Sequence, residues 1–101
     1  MKTQAKRGKA SDYGLYEAIA SVKTSQEAKD FFQDLCTPAE IQAMADRWRV
    51  VEPLKAGRSY RQIYNDTGVS VTTIGRVARY ILSGMGYNLI YDRVKKKGKN
   101  K

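Results

Sequence analysis

The chain has 101 residues, 42% of them apolar, and a formal net charge of +9 from nineteen Lys and Arg against ten Asp and Glu. That is one small domain, and a fold of this size leaves roughly a third or more of its surface exposed, so a second copy would help to cover it. It contains no histidine and a single cysteine, Cys36, which removes the commonest general base, the commonest transition-metal ligand and any intramolecular disulfide.

These absences argue against most catalytic plans, and the chain is read as a non-enzyme without a metal or cofactor. Glu40, Asp46 and Glu52 share no spacing that would make an acid–base pair or a metal site, and no Gly-rich phosphate loop occurs. A lone thiol suits a reducing cytoplasm. No apolar run approaches the length that spans a bilayer, and the first residues lack a signal-peptide pattern, so a cytoplasmic protein without membrane contact is expected.

The charge is unevenly placed. Residues 1–10 carry four basic side chains and no acid, and residues 95–101 carry five and no acid. Between them, 11–46 has a net charge of −5 and 47–94 a net charge of +5. A body with one positive half fits nucleic-acid binding better than diffuse basicity does. Residues 1–10 are predicted as a basic disordered tail and 95–101 as a basic C-terminal tail, flanking one all-helical domain over 11–94.

In chain order, Ser11 or Asp12 can cap a first helix carrying Leu15, Ile19 and Val22 at helical spacing. Thr24 with Glu27 forms a capping box ahead of a helix with Ala28, Phe31, Phe32 and Leu35 on one face and Lys29, Asp30, Gln33 and Asp34 on the other. Cys36 extends that apolar stripe as a buried thiol. Thr37-Pro38-Ala39-Glu40 is the clearest helix start: Thr37 caps, Pro38 takes the first position where its missing N–H costs nothing, and Glu40 closes the box. The helix is predicted to reach Ala56, with Ile41, Met44, Ala45, Trp48 and Val51 on one face and Ala43, Val50 and Leu54 on another. Two apolar faces need neighbours on both sides, which places it centrally. Pro53 predicts a kink near Arg49, a turn back. Glu52 is expected to pair with Arg49.

Arg58–Arg79, RSYRQIYNDTGVSVTTIGRVAR, reads as a helix-turn-helix within about 59–82. Ser59 with Gln62 makes a capping box, Gly68 supplies positive φ at the turn, Val69 plugs the gap, and Ser70 caps the second helix. Ile63, Ile74 and Val77 are the expected core positions. The outer surface offers Ser70, Val71, Thr72, Thr73, Arg76 and Arg79, hydroxyls and guanidinium groups suited to base edges and phosphates. Arg58, Arg61 and Gln62 stand where phosphate contacts would fix register. Four Arg against one Asp across this span favour DNA over a merely solvated face. Tyr64 takes a position where such motifs usually carry a small residue, so its ring must point outward or the hairpin must open. The reading helix can continue through Leu82 until Ser83-Gly84, Met85-Gly86 form a loop, and Tyr87, Ile90, Tyr91 and Val94 mark a short closing helix.

Taken together, LCTPAEIQAMADRWRVVEPLKAG followed by SYRQIYNDTGVSVTTIGR resembles the Trp repressor family, in particular its YerC/YecD-type branch of small bacterial proteins. The resemblance is clearest from Leu35 to Arg79. It implies an all-α, intertwined homodimer whose two helix-turn-helix units meet successive major grooves of double-stranded DNA. Its half-sites would lie about 34–36 Å apart or a multiple of that. The implied activity is transcriptional regulation, as a repressor occupying promoter DNA. By motif position, the family's corepressor residues correspond to Thr37, Arg47 and Arg76, a candidate effector pocket. The glycine that gives the indole of tryptophan room is here Val77, so tryptophan is not the expected corepressor and any small-molecule effector is unidentified. A second reading keeps the helical scaffold without operator reading, as a protein-binding adaptor or a non-specific nucleic-acid-binding protein.

Overall fold

The computed structural model describes residues 9–99. They form seven helices in chain order: α1 (Lys9–Ala20), α2 (Ser25–Leu35), α3 (Pro38–Arg49), α4 (Val51–Lys55), α5 (Tyr60–Thr67), α6 (Val71–Ser83) and α7 (Gly86–Lys99). No strand occurs among the described residues. The chain divides into two units, Met1–Ile41 and Gln42–Lys101, with the boundary inside α3.

In the N-terminal unit, α1 begins earlier than its expected cap. Lys9 and Ala10 are good helix formers and nothing interrupts them, so Asp12 lies inside the first turn, where its carboxylate suits the helix dipole. Helix α1 buries none of its described side chains. Thr24 caps α2 as expected, accepting from the Glu27 N–H at 3.0 Å. The return bond of the box is displaced by one residue, because Glu27 Oε1 accepts from the Lys23 N–H at 2.9 Å. Phe31 and Phe32 meet edge to face at 5.8 Å between ring centroids. Cys36 is half-buried and sits past the end of α2 as its C-cap, donating its N–H to the Phe32 carbonyl, rather than in the helical stripe. Thr37 and Glu40 complete a reciprocal box at the start of α3, with bonds of 3.1 and 2.8 Å.

In the C-terminal unit the single helix expected to reach Ala56 is two. Helix α3 stops at Arg49, Val50 adopts φ −90° and ψ −2°, and α4 follows. Pro53 explains the position: it has no N–H for the Arg49 carbonyl, and its ring crowds that carbonyl a turn back. The interruption also undoes the expected Arg49–Glu52 pair, which needed unbroken helical spacing. Arg49 instead meets Asp46 at 3.5 Å, and Glu52 reaches across to Lys95 at 3.7 Å. Helix α4 ends in a Schellman turn, with Arg58 N–H on the Pro53 carbonyl, Gly57 N–H on the Leu54 carbonyl, and Gly57 at φ 84°.

The core of this unit is Val50, Val51, Ile63, Val69, Ile74 and Val77, with Leu54, Ile81, Tyr87 and Tyr91 packed against it. Helix α4 packs on α5, α6 and α7, and α6 packs on α5 and α7. Asn88 ties three of them together: it accepts from Lys55 Nζ at 2.6 Å and donates to the Ile81 carbonyl at 2.8 Å.

The basic stretches expected as tails, 1–10 and 95–101, fare differently from one another. Residues 1–8, 100 and 101 lie outside the described residues, Lys9 and Ala10 belong to α1, and Lys95–Lys99 continue α7. Lysine is a good helix former, and positive charge at a carboxyl end complements the helix dipole, so composition alone misjudged where this helix stops.

Candidate nucleic-acid interface

The helix-turn-helix forms as its caps require. Ser59 and Gln62 make both bonds of the capping box at the start of α5. Gly68 closes α5 at φ 78°, donating to the Tyr64 carbonyl at 2.8 Å. The Thr67 hydroxyl donates to the Ile63 carbonyl at 2.7 Å and accepts from the Val69 N–H at 3.1 Å, fixing the turn. Val69 is buried as the plug, and Ile63, Ile74 and Val77 are fully buried between the two helices. Tyr64 resolves as an outward ring, half exposed, so the hairpin need not open.

The predicted contact residues separate into groups. Val71 and Thr72 stand exposed in the first turn of α6. Ser70 and Thr73 are occupied with capping: the Ser70 hydroxyl accepts from the Thr73 N–H at 3.2 Å and donates to its hydroxyl oxygen at 3.1 Å. The Gln62 side-chain oxygen likewise accepts from Ser59 N–H at 3.1 Å. Arg61 and Arg79 are exposed and enter no salt bridge among the described residues. Arg58 is paired with Asp66 at 3.9 Å. The Arg76 guanidinium lies 5.2 Å from the ring centre of Tyr80, a cation–π contact.

Beside Arg76 opens a cleft of about 500 Å³ walled by Trp48, Arg76, Tyr80, Gly84, Tyr87 and Ile90. Trp48 and Tyr87 stack within it, 6.5 Å between centroids and 20° apart in plane. Arg76 of the candidate effector residues stands in this wall, and Arg47 does not. Thr37 belongs to the N-terminal unit, where it caps α3. The aromatic walls escaped sequence reasoning because Trp48 and Tyr87 are far apart in the chain and each looked like ordinary amphipathic packing. No local spacing pairs them.

Among the described residues, no group of three His, Cys, Asp or Glu side chains could hold a metal ion, and no helix is long and apolar enough to cross a membrane.

The described residues are all helical and carry a helix-turn-helix. The family model for Trp repressor protein matches residues 13–94. The uncharacterized protein YerC of Bacillus subtilis (strain 168) is 42% identical over 96 residues, covering 94% of this chain and 91% of YerC. Two solved structures align along nearly their whole length. A Staphylococcus aureus protein assigned as a Trp repressor has a TM-score of 0.80 at 36% identity, covering 94% of this chain and 95% of that one. A TrpR-like protein from Eubacterium eligens has a TM-score of 0.76 at 39% identity, covering 93% and 92%. The chain belongs to the Trp repressor family and is of the YerC/YecD type. Members of this family are helical DNA-binding regulators, not enzymes.

Proposed function

We propose that this chain is a homodimeric, sequence-specific transcriptional repressor that occupies operator DNA. The observation that carries the reading is the first turn of α6, where Val71 and Thr72 project free of any packing or capping role amid the arginines of the motif. Thr72 can hydrogen-bond a base edge and Val71 can meet a thymine methyl group, with Ser70 and Thr73 holding the turn that presents them. Arg58, Arg61 and Gln62 face phosphate at the start of α5, and Arg76 and Arg79 extend the contact along α6. Such a target puts the protein in the cytoplasm with the chromosome.

The dimer draws its support from exposed apolar side chains. Leu82 and Met85, where α6 gives way to α7, are 89% and 85% exposed, and Leu89, Ile90 and Val94 of α7 are exposed as well. In the N-terminal unit, Tyr13, Leu15, Tyr16 and Ile19 leave α1 without a buried face. Apolar surface on this scale marks an interaction site, and a twin chain supplies the matching surface.

Val77, buried in the core, stands where the resemblance places the glycine that gives an indole room, which supports an effector other than tryptophan, one that would use the aromatic cleft. Selection of bound duplexes from a random oligonucleotide pool tests the reading. It is expected to return one motif with two half-sites about 34–36 Å apart, or a multiple. Recovery of no motif would favour the adaptor or non-specific reading.

A further inference from the structure

The helix-turn-helix carries one acid, Asp66, among four arginines, and nothing in the local fold calls for it. It lies in the last turn of α5, which holds no basic residue, and the dipole of a helix disfavours a carboxylate at that end. The carboxylate instead meets the Arg58 guanidinium, 3.9 Å from Nη1 to Oδ2, with both side chains more than half exposed. Arg58 immediately precedes Ser59, the N-cap of α5. The pair therefore joins a guanidinium from the residue before the cap to a carboxylate in the last turn of the same helix.

We propose that Asp66 is an internal competitor for Arg58, a positioning residue that DNA phosphate must displace before Arg58 can bind it. The inference rests on the DNA-binding reading above. An exposed ion pair of this kind contributes little, so a phosphate oxygen can replace the carboxylate, but each complex then forgoes the Arg58–Asp66 attraction. The result is a tempered sequence-independent attraction, while the base contacts of Val71 and Thr72 are untouched. Because non-specific affinity is almost wholly electrostatic, this restraint limits how much of the protein is held on random DNA.

A double-mutant cycle on the full chain tests this, with Asp66→Asn, Arg58→Gln and the two combined, titrated on a selected duplex and on a random duplex. Asp66→Asn is expected to tighten binding to both by about twofold to fivefold, the range that an exposed pair supports. In the Arg58→Gln background most of that gain is expected to vanish. A gain that persists there in full would mean plain charge repulsion and would overturn the proposal, as would no gain or a loss. If the wild-type protein prefers no sequence, the repressor reading falls, yet the cycle on random duplex still reports whether Asp66 acts through Arg58.

Discussion

A residue's chemistry and its availability are different things, and the motif surface shows how they part. Ser70 and Thr73 look as able as Thr72 to bond a base, yet the Ser70 hydroxyl is bound to the Thr73 hydroxyl and to the Thr73 backbone N–H. The sequence announces both roles for Ser70, cap and contact, and the hydrogen bonds show the cap. Thr72→Ala is thus expected to relax discrimination at one base position, at about 1–3 kcal/mol, while leaving random-duplex affinity nearly unchanged. Arg61, exposed and in no salt bridge among the described residues, is expected to behave oppositely: Arg61→Ala weakens binding to every duplex and lowers the salt slope by about 1. Fluorescence titration across a salt series distinguishes the two. Equal losses from both variants on selected and random duplexes would count against these roles. Tyr64 teaches the same lesson from the other side, since an unusual residue type at a close approach was accommodated by its ring facing outward.

At the scale of elements, whatever depended on neighbours three or four residues apart could be read in advance. The boxes at Thr37 and Ser59, the left-handed Gly68 and the cap at Ser70 are all such features. Pro53 located the break after Arg49, although the residues beyond it kept enough helical pattern to suggest one long helix. What stayed hidden was partnership between distant segments: Glu52 with Lys95, Lys55 with Asn88, and Trp48 with Tyr87. No periodicity encodes those pairs, because each joins α7 to a residue of α3 or α4 far back in the chain. The turn offers a clean test of local encoding. A Cβ at Gly68 would meet nothing within 4 Å, so only its φ of 78° opposes substitution. Gly68→Ala is expected to cost about 1–2 kcal/mol, read as a lower urea midpoint with an unchanged slope. A neutral outcome would mean that the turn relaxes without a left-handed residue there.

For the whole molecule, composition forecast a small core, and six buried side chains bear that out in the C-terminal unit. The apolar residues left outside, Leu82 and Met85 foremost, are the reason to expect a twin. Replacing both with Asp is expected to shift the sedimentation coefficient from that of a dimer to that of a monomer, and to abolish operator binding with it. A wild-type chain that sediments as a stable monomer would remove the paired-groove geometry altogether. The net charge of +9 guarantees some attraction to any duplex, so binding alone decides nothing. The decisive quantity is the ratio of affinities for the selected duplex and a random one, titrated at physiological salt. The account predicts a preference of about a thousandfold or more; near-equal affinities that disappear together as salt rises would contradict it.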